Sequence, residues 1–85
     1  MSRRQMHVKF KPRAVKDLRA LEQKTARRVL EKIHGLENNL AGDVKRLTNF
    51  TPEYRLRVGD YRVLFEIEDD RVIIYRIKHR GDAYS

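Results

Sequence analysis

Arg55 and Arg57 stand two residues apart, and Arg62 follows five residues on, past Gly59-Asp60. In a strand, residues two apart share a face, and a tight turn at Gly59-Asp60 returns Arg62 to the same sheet surface. Like charges on adjacent strands repel, so three guanidinium groups set away from an apolar face call for an anion between them. RNA phosphates suit that place. The same pattern is also that of the solvated outer face of a basic sheet, and these three residues alone leave both readings open.

A second group follows: Lys78, His79, Arg80 and Tyr84. Just past a last strand, a loop carrying these side chains can fold over the sheet and bring a titratable group and a phosphate clamp. Cutting RNA needs a base for the 2′-hydroxyl, cationic donors for the non-bridging phosphate oxygens, and an acid for the leaving 5′-oxygen. Arg, Tyr, His and Lys side chains supply all three without a metal. The chain has no cysteine, and His7, His34 and His79 are too widely separated for metal-ligand spacing, so neither metal nor other cofactor is expected.

The elements that must position these groups can be read from periodicity. Residues 6–10 alternate, with Met6, Val8 and Phe10 on one side, as in a half-buried strand. Pro12 suits a first helical position, and Ala14, Val15, Leu18 and Leu21 continue at helical spacing, predicting a helix over about 12–22. Thr25 is the expected cap of a second helix whose stripe is Ala26, Val29, Leu30, Ile33, Leu36 and Leu40. Gly42 to Pro52 reads as a connection anchored by Leu47. From Tyr54 the period becomes two. Tyr54, Leu56 and Val58 oppose Arg55 and Arg57; Tyr61, Val63, Phe65 and Ile67 oppose Arg62, Leu64 and Glu66; Asp69-Asp70 then turns the chain into 72–78. The expected order is β-α-α-β-β-β, an α+β fold with a helical hairpin on one face of a small antiparallel sheet, in one domain spanning 1–85.

Eighty-five residues with 20 Lys+Arg against 12 Asp+Glu carry a net charge of +8, which points to polyanionic partners: nucleic acid, the ribosome or an acidic protein. No apolar run approaches the roughly 20 residues that span a bilayer, so the expectation is a cytoplasmic protein without a membrane partner.

The run Tyr54-Arg55-Leu56-Arg57-Val58-Gly59-Asp60-Tyr61-Arg62-Val63, followed by Ile77-Lys78-His79-Arg80 and Tyr84, resembles the RelE branch of the RelE/ParE toxin superfamily. The segments at 12–18 and 42–47 are similar to it too. The resemblance implies a toxin of a type II toxin–antitoxin system: an endoribonuclease (mRNA interferase) that cuts mRNA, dependent on the ribosome, until a cognate antitoxin covers it. It further implies a toxin–antitoxin complex that binds operator DNA. Carried over by residue, it implies that Arg62 and Arg80 stabilise the phosphorane and that Tyr84 stacks on a base or transfers a proton. Some relatives carry lysines where this chain has Arg55 and Arg57. A guanidinium does not give up its proton near neutrality, so these two should position and neutralise phosphate, as should Lys78. The proton acceptor is then the Tyr84 phenol or, second, the His79 imidazole. Glu66 is expected to be a strand neighbour of Arg62 without a catalytic role. Lys9, Lys11, Arg13, Lys16, Arg27, Arg28 and Lys32 could grip ribosomal RNA, although many such charges are simply solvated. Two alternatives stand beside this reading: a ParE-like inhibitor of DNA gyrase, and a basic module that binds RNA or DNA without cutting it.

Overall fold

The computed structural model describes residues 6–38, 40–47, 49 and 51–80. Their elements are β1 (His7–Phe10), α1 (Pro12–Arg19), α2 (Gln23–Gly35), β2 (Asp43–Arg46), β3 (Tyr54–Val58), β4 (Tyr61–Glu68) and β5 (Arg71–His79). The α+β class and the helical hairpin are as expected, while the sheet is larger and mixed. Its five strands run in the order β1-β5-β4-β3-β2, with β1 parallel to β5 and the other pairs antiparallel.

Residues expected to form only a connection thus include β2, where Asp43 to Arg46 pair with Arg57 to Tyr54. Three of its four residues are charged, which suits an edge strand and hides its period. The helices also differ from expectation at their ends. The first stops at Arg19, and the second begins at Gln23 with Glu22 as its N-cap, so Thr25 lies inside it. Leu40 lies beyond that helix, at φ 59°.

One face of the sheet and one stripe of each helix make the core. Ala14 comes from α1, Val29 and Ile33 from α2, and Leu56, Val63, Phe65, Val72 and Ile74 from the sheet, all fully buried. Tyr54 stacks on Phe65 at 5.6 Å between ring centroids, fixing β3 against β4.

Parallel pairing with β1 ends at Ile74, which leaves the backbone of β5 beyond it to be satisfied another way. Helix α1 does so. Lys11 N–H donates to Ile74 O at 2.8 Å, and the Asp17 carboxylate accepts the Ile77 N–H at 2.9 Å and Arg76 Nε at 2.7 Å. Burial would raise the Asp17 pKa, but hydrogen bonds from Arg76 and the Ile77 N–H, with the charges of Arg76 and Arg13, outweigh it and hold the carboxyl below its usual range.

Candidate phosphate-binding face

The register places the sequence-predicted cations in rows. Arg57 pairs with Arg62 and Arg62 with Lys78, so three cations lie side by side across β3, β4 and β5 on the face away from the core. The next row on that face holds Arg55, Leu64 and Arg76. Glu66 also lies on this face, and its carboxylate accepts the Glu53 N–H at 2.8 Å, a contact that ties the loop before β3 to the sheet.

These cations are held differently. Arg62 is only 8% exposed, and its Nη1 donates to Gly59 O and Tyr61 O, both at 3.2 Å. A guanidinium has five N–H donors, and these two bonds engage one nitrogen. They orient the group at the Gly59-Asp60 turn, where Gly59 takes the left-handed φ of 58°. Arg55 is 7% exposed; its Nη1 donates to Asp43 O at 3.3 Å and lies 3.6 Å from the Asp43 carboxylate. Its Nε is buried without a hydrogen-bond partner. Arg57 is half exposed, 3.9 Å from the other Asp43 oxygen. Asp43 therefore balances two of the three arginines. Periodicity misses this role because it misses β2, although the Gly42-Asp43 pair beside a basic hairpin is a visible signal.

The second predicted group divides. Strand β5 extends through His79, so alternation sends Lys78 and His79 to opposite faces. Lys78 stands beside Arg62. His79 is exposed and turns to the other side, where its ring meets the edge of Tyr61 at 5.2 Å and its Nδ1 lies 2.8 Å from Arg80 O. Also on that side, Arg28 of α2 places Nη1 3.5 Å from where a Gly59 side chain would begin. The exposed Arg80 is tied through its backbone N–H to Asp60 O. Arg62 and Arg80 thus take hold of adjacent carbonyls in one turn. Tyr84 lies outside the described residues. Among the described residues no three His, Asp or Glu side chains gather as metal ligands, and no helix is long and apolar enough to cross a membrane.

Helices on one face of a mixed sheet, with a cationic row on the other, define a small basic α+β domain, and comparison with known proteins gives it a family. A model of the ParE toxin of type II toxin–antitoxin systems (parDE) matches residues 8–84. Toxin RelE3 of Methanocaldococcus jannaschii is 32% identical over 85 residues, covering 94% of this chain and 97% of that protein. The archaeal RelE–RelB complex from Pyrococcus horikoshii OT3 contains a chain 33% identical, with a TM-score of 0.74, over 93% of this chain and 99% of that one. The toxin–antitoxin complex RelBE2 of Mycobacterium tuberculosis matches at 28% identity and a TM-score of 0.77, over 89% and 99%. The chain belongs to the ParE toxin family of type II toxin–antitoxin systems, within the RelE/ParE superfamily.

Proposed function

We propose that this toxin is an endoribonuclease that cuts mRNA on the ribosome with side chains alone, and that a cognate antitoxin restrains it. The observation that carries this reading is the Arg57–Arg62–Lys78 row beside the turn to which Arg62 and Arg80 are both anchored. A phosphodiester laid across the row meets donors already oriented for its non-bridging oxygens. Such donors are most effective when they need not reorganise as charge develops. The ribose 2′-oxygen attacks the adjoining phosphorus, its proton passing to a base. The bond from phosphorus to the 5′-oxygen breaks, and that oxygen takes a proton from an acid. The products carry a 2′,3′-cyclic phosphate and a 5′-hydroxyl.

In this scheme Arg62 and Arg80 stabilise the phosphorane, while Arg55, Arg57 and Lys78 position and neutralise phosphate. Tyr84 exchanges the proton or stacks on a base. His79, turned toward Tyr61, is the second choice for proton transfer and would have to approach from the strand end. Free RNA seldom holds its 2′-oxygen in line, so a shallow face gains from a ribosome that presents the message in a fixed geometry. The antitoxin is an acidic segment folding over the cations, consistent with the toxin–antitoxin complexes formed by the relatives; the pair then binds operator DNA.

The test adds purified toxin to ribosomes carrying a defined mRNA and maps the ends by primer extension, with bare mRNA and Arg80→Ala in parallel. Cuts confined to the decoding site and reduced roughly a hundredfold or more in the variant support the proposal. Intact message with folded protein refutes it. The family model carries the ParE name, which favours a second reading, inhibition of DNA gyrase by direct contact. A supercoiling assay separates the two, because an RNA-cutting toxin leaves gyrase turnover unchanged. RNA binding without scission, and with gyrase unaffected, would indicate a non-catalytic basic module.

A further inference from the structure

Lys11, Pro12, Arg13, Pro52, Tyr75 and Arg76 line an open cleft of about 480 Å³ that none of the proposed catalytic steps uses. The size lies within the ordinary range of ligand sites. Among its lining residues is Tyr75, the residue on β5 without a β4 partner where the register slips between Leu64 and Phe65. Such a bulge re-aims a side chain. Tyr75 is half-buried, so part of the residue stays open to solvent. Two prolines add apolar lining, and Lys11, Arg13 and Arg76 bring cations to it.

The charges indicate what fits. Arg76 is paired with Asp17, which Arg13 also approaches, whereas Lys11 holds its ammonium 5.4 Å from the centre of the Tyr75 ring. Lys11, Arg13 and Arg76 against Asp17 leave a surplus of positive charge beside an aromatic surface. An aromatic ring flanked by cations is the usual platform for a base of single-stranded nucleic acid, with the ring taking the base and the cations its phosphate. Cation–ring attraction reaches about 6 Å, so the Lys11 ammonium sits near its limit and can swing to a phosphate at little loss. Arg76, which lines the cleft, stands in the row next to Arg57–Arg62–Lys78 on the same face of the sheet, which puts the cleft beside the cationic row.

We infer that this cleft is a second nucleotide subsite, in which Tyr75 stacks on a base flanking the scissile phosphate while Lys11 and Arg13 hold that nucleotide's phosphate. The inference rests on RNA being the substrate and adds to that reading a residue that selects the neighbouring nucleotide. Stacking tolerates any base but favours large ones, so the subsite should prefer purines.

The test uses the complete toxin and a five-nucleotide RNA, 2′-O-methylated so that it cannot be cut, carrying 2-aminopurine at successive positions. At one position the wild type should quench the fluorescence. Tyr75→Leu should abolish that quenching and weaken binding roughly 5- to 100-fold, while Tyr75→Phe keeps both. Lys11→Ala with Arg13→Ala should lower the salt slope by about 0.7 for each phosphate that is no longer neutralised. Equal melting temperatures for wild type, Tyr75→Leu and Tyr75→Phe exclude a folding defect. On ribosomes, Tyr75→Leu should flatten base preference beside the cut. Scission with unchanged binding and preference in Tyr75→Leu overturns the subsite and leaves the nuclease standing. Quenched binding without scission by the wild type overturns the nuclease and leaves Tyr75 only a base-stacking contact of an RNA-binding module, and no RNA binding at all overturns both. A Tyr75→Leu variant that loses only antitoxin affinity assigns the cleft to the protein partner and overturns the subsite.

Discussion

Arg62 and Arg80 grip adjacent carbonyls of one turn, yet removing them should register differently. Arg80 is exposed and anchored through its backbone, so Arg80→Ala should reduce scission roughly a hundred- to a thousandfold and leave the melting temperature unchanged. Arg62 is buried and bonded through its side chain, so Arg62→Ala should lower both. Arg55 offers a sharper contrast. Its Nε is buried without an acceptor, so Arg55→Met should leave stability unchanged or raise it by up to about 1 kcal/mol while weakening RNA binding. Chemical denaturation and a binding titration on the same preparation test that opposition. Alternation and the Gly59-Asp60 turn are enough to make the Arg57–Arg62 pairing legible in the sequence. The same alternation separates Lys78 from His79 once the last strand is carried through residue 79. The burial of Arg55 and Arg62 depends on a neighbouring strand and on turn carbonyls, which no local pattern reveals.

Helix α1 closes the edge that short β1 leaves on β5, and Asp17 makes the closure. Removing that carboxylate strands a backbone N–H and a partly buried guanidinium, so Asp17→Ala should destabilise the domain by about 2–3 kcal/mol. The pH dependence follows from the direction of the shift. The folded carboxyl has a lower pKa than its unfolded value of 3.8, so the folded state binds its proton less readily. The contribution is complete above that value and disappears as pH falls through the lower folded value. An acid titration of stability should lose this limb in Asp17→Asn. The hairpin from Tyr54 to Glu68 is plain in the sequence because alternation and Gly59-Asp60 agree. Strand β2 is hidden by its charges, and the parallel β1–β5 pair by sequence separation, since nothing near His7 states that Arg71 lies beside it. The bulge leaves a trace in the unbroken apolar run Val72-Ile73-Ile74-Tyr75, which departs from strict alternation.

Taken whole, the molecule puts its core on one side of a single sheet and a cationic row on the other, while carrying a net charge of +8. If phosphate contacts govern substrate binding, affinity should fall with salt. Three contacts to a single strand give a slope near −2, about a 20-fold loss between 50 and 200 mM. The most direct test of the central claim is the chemistry of the cut itself, read by mass spectrometry of fragments from toxin-treated ribosomal complexes. A second message should carry a 2′-deoxyribose at the cleaved position. Side-chain catalysis of 2′-oxygen attack predicts 2′,3′-cyclic phosphate and 5′-hydroxyl ends, and an intact message wherever the 2′-oxygen is missing. Fragments with 5′-phosphate ends, or scission at the deoxy position, would contradict it.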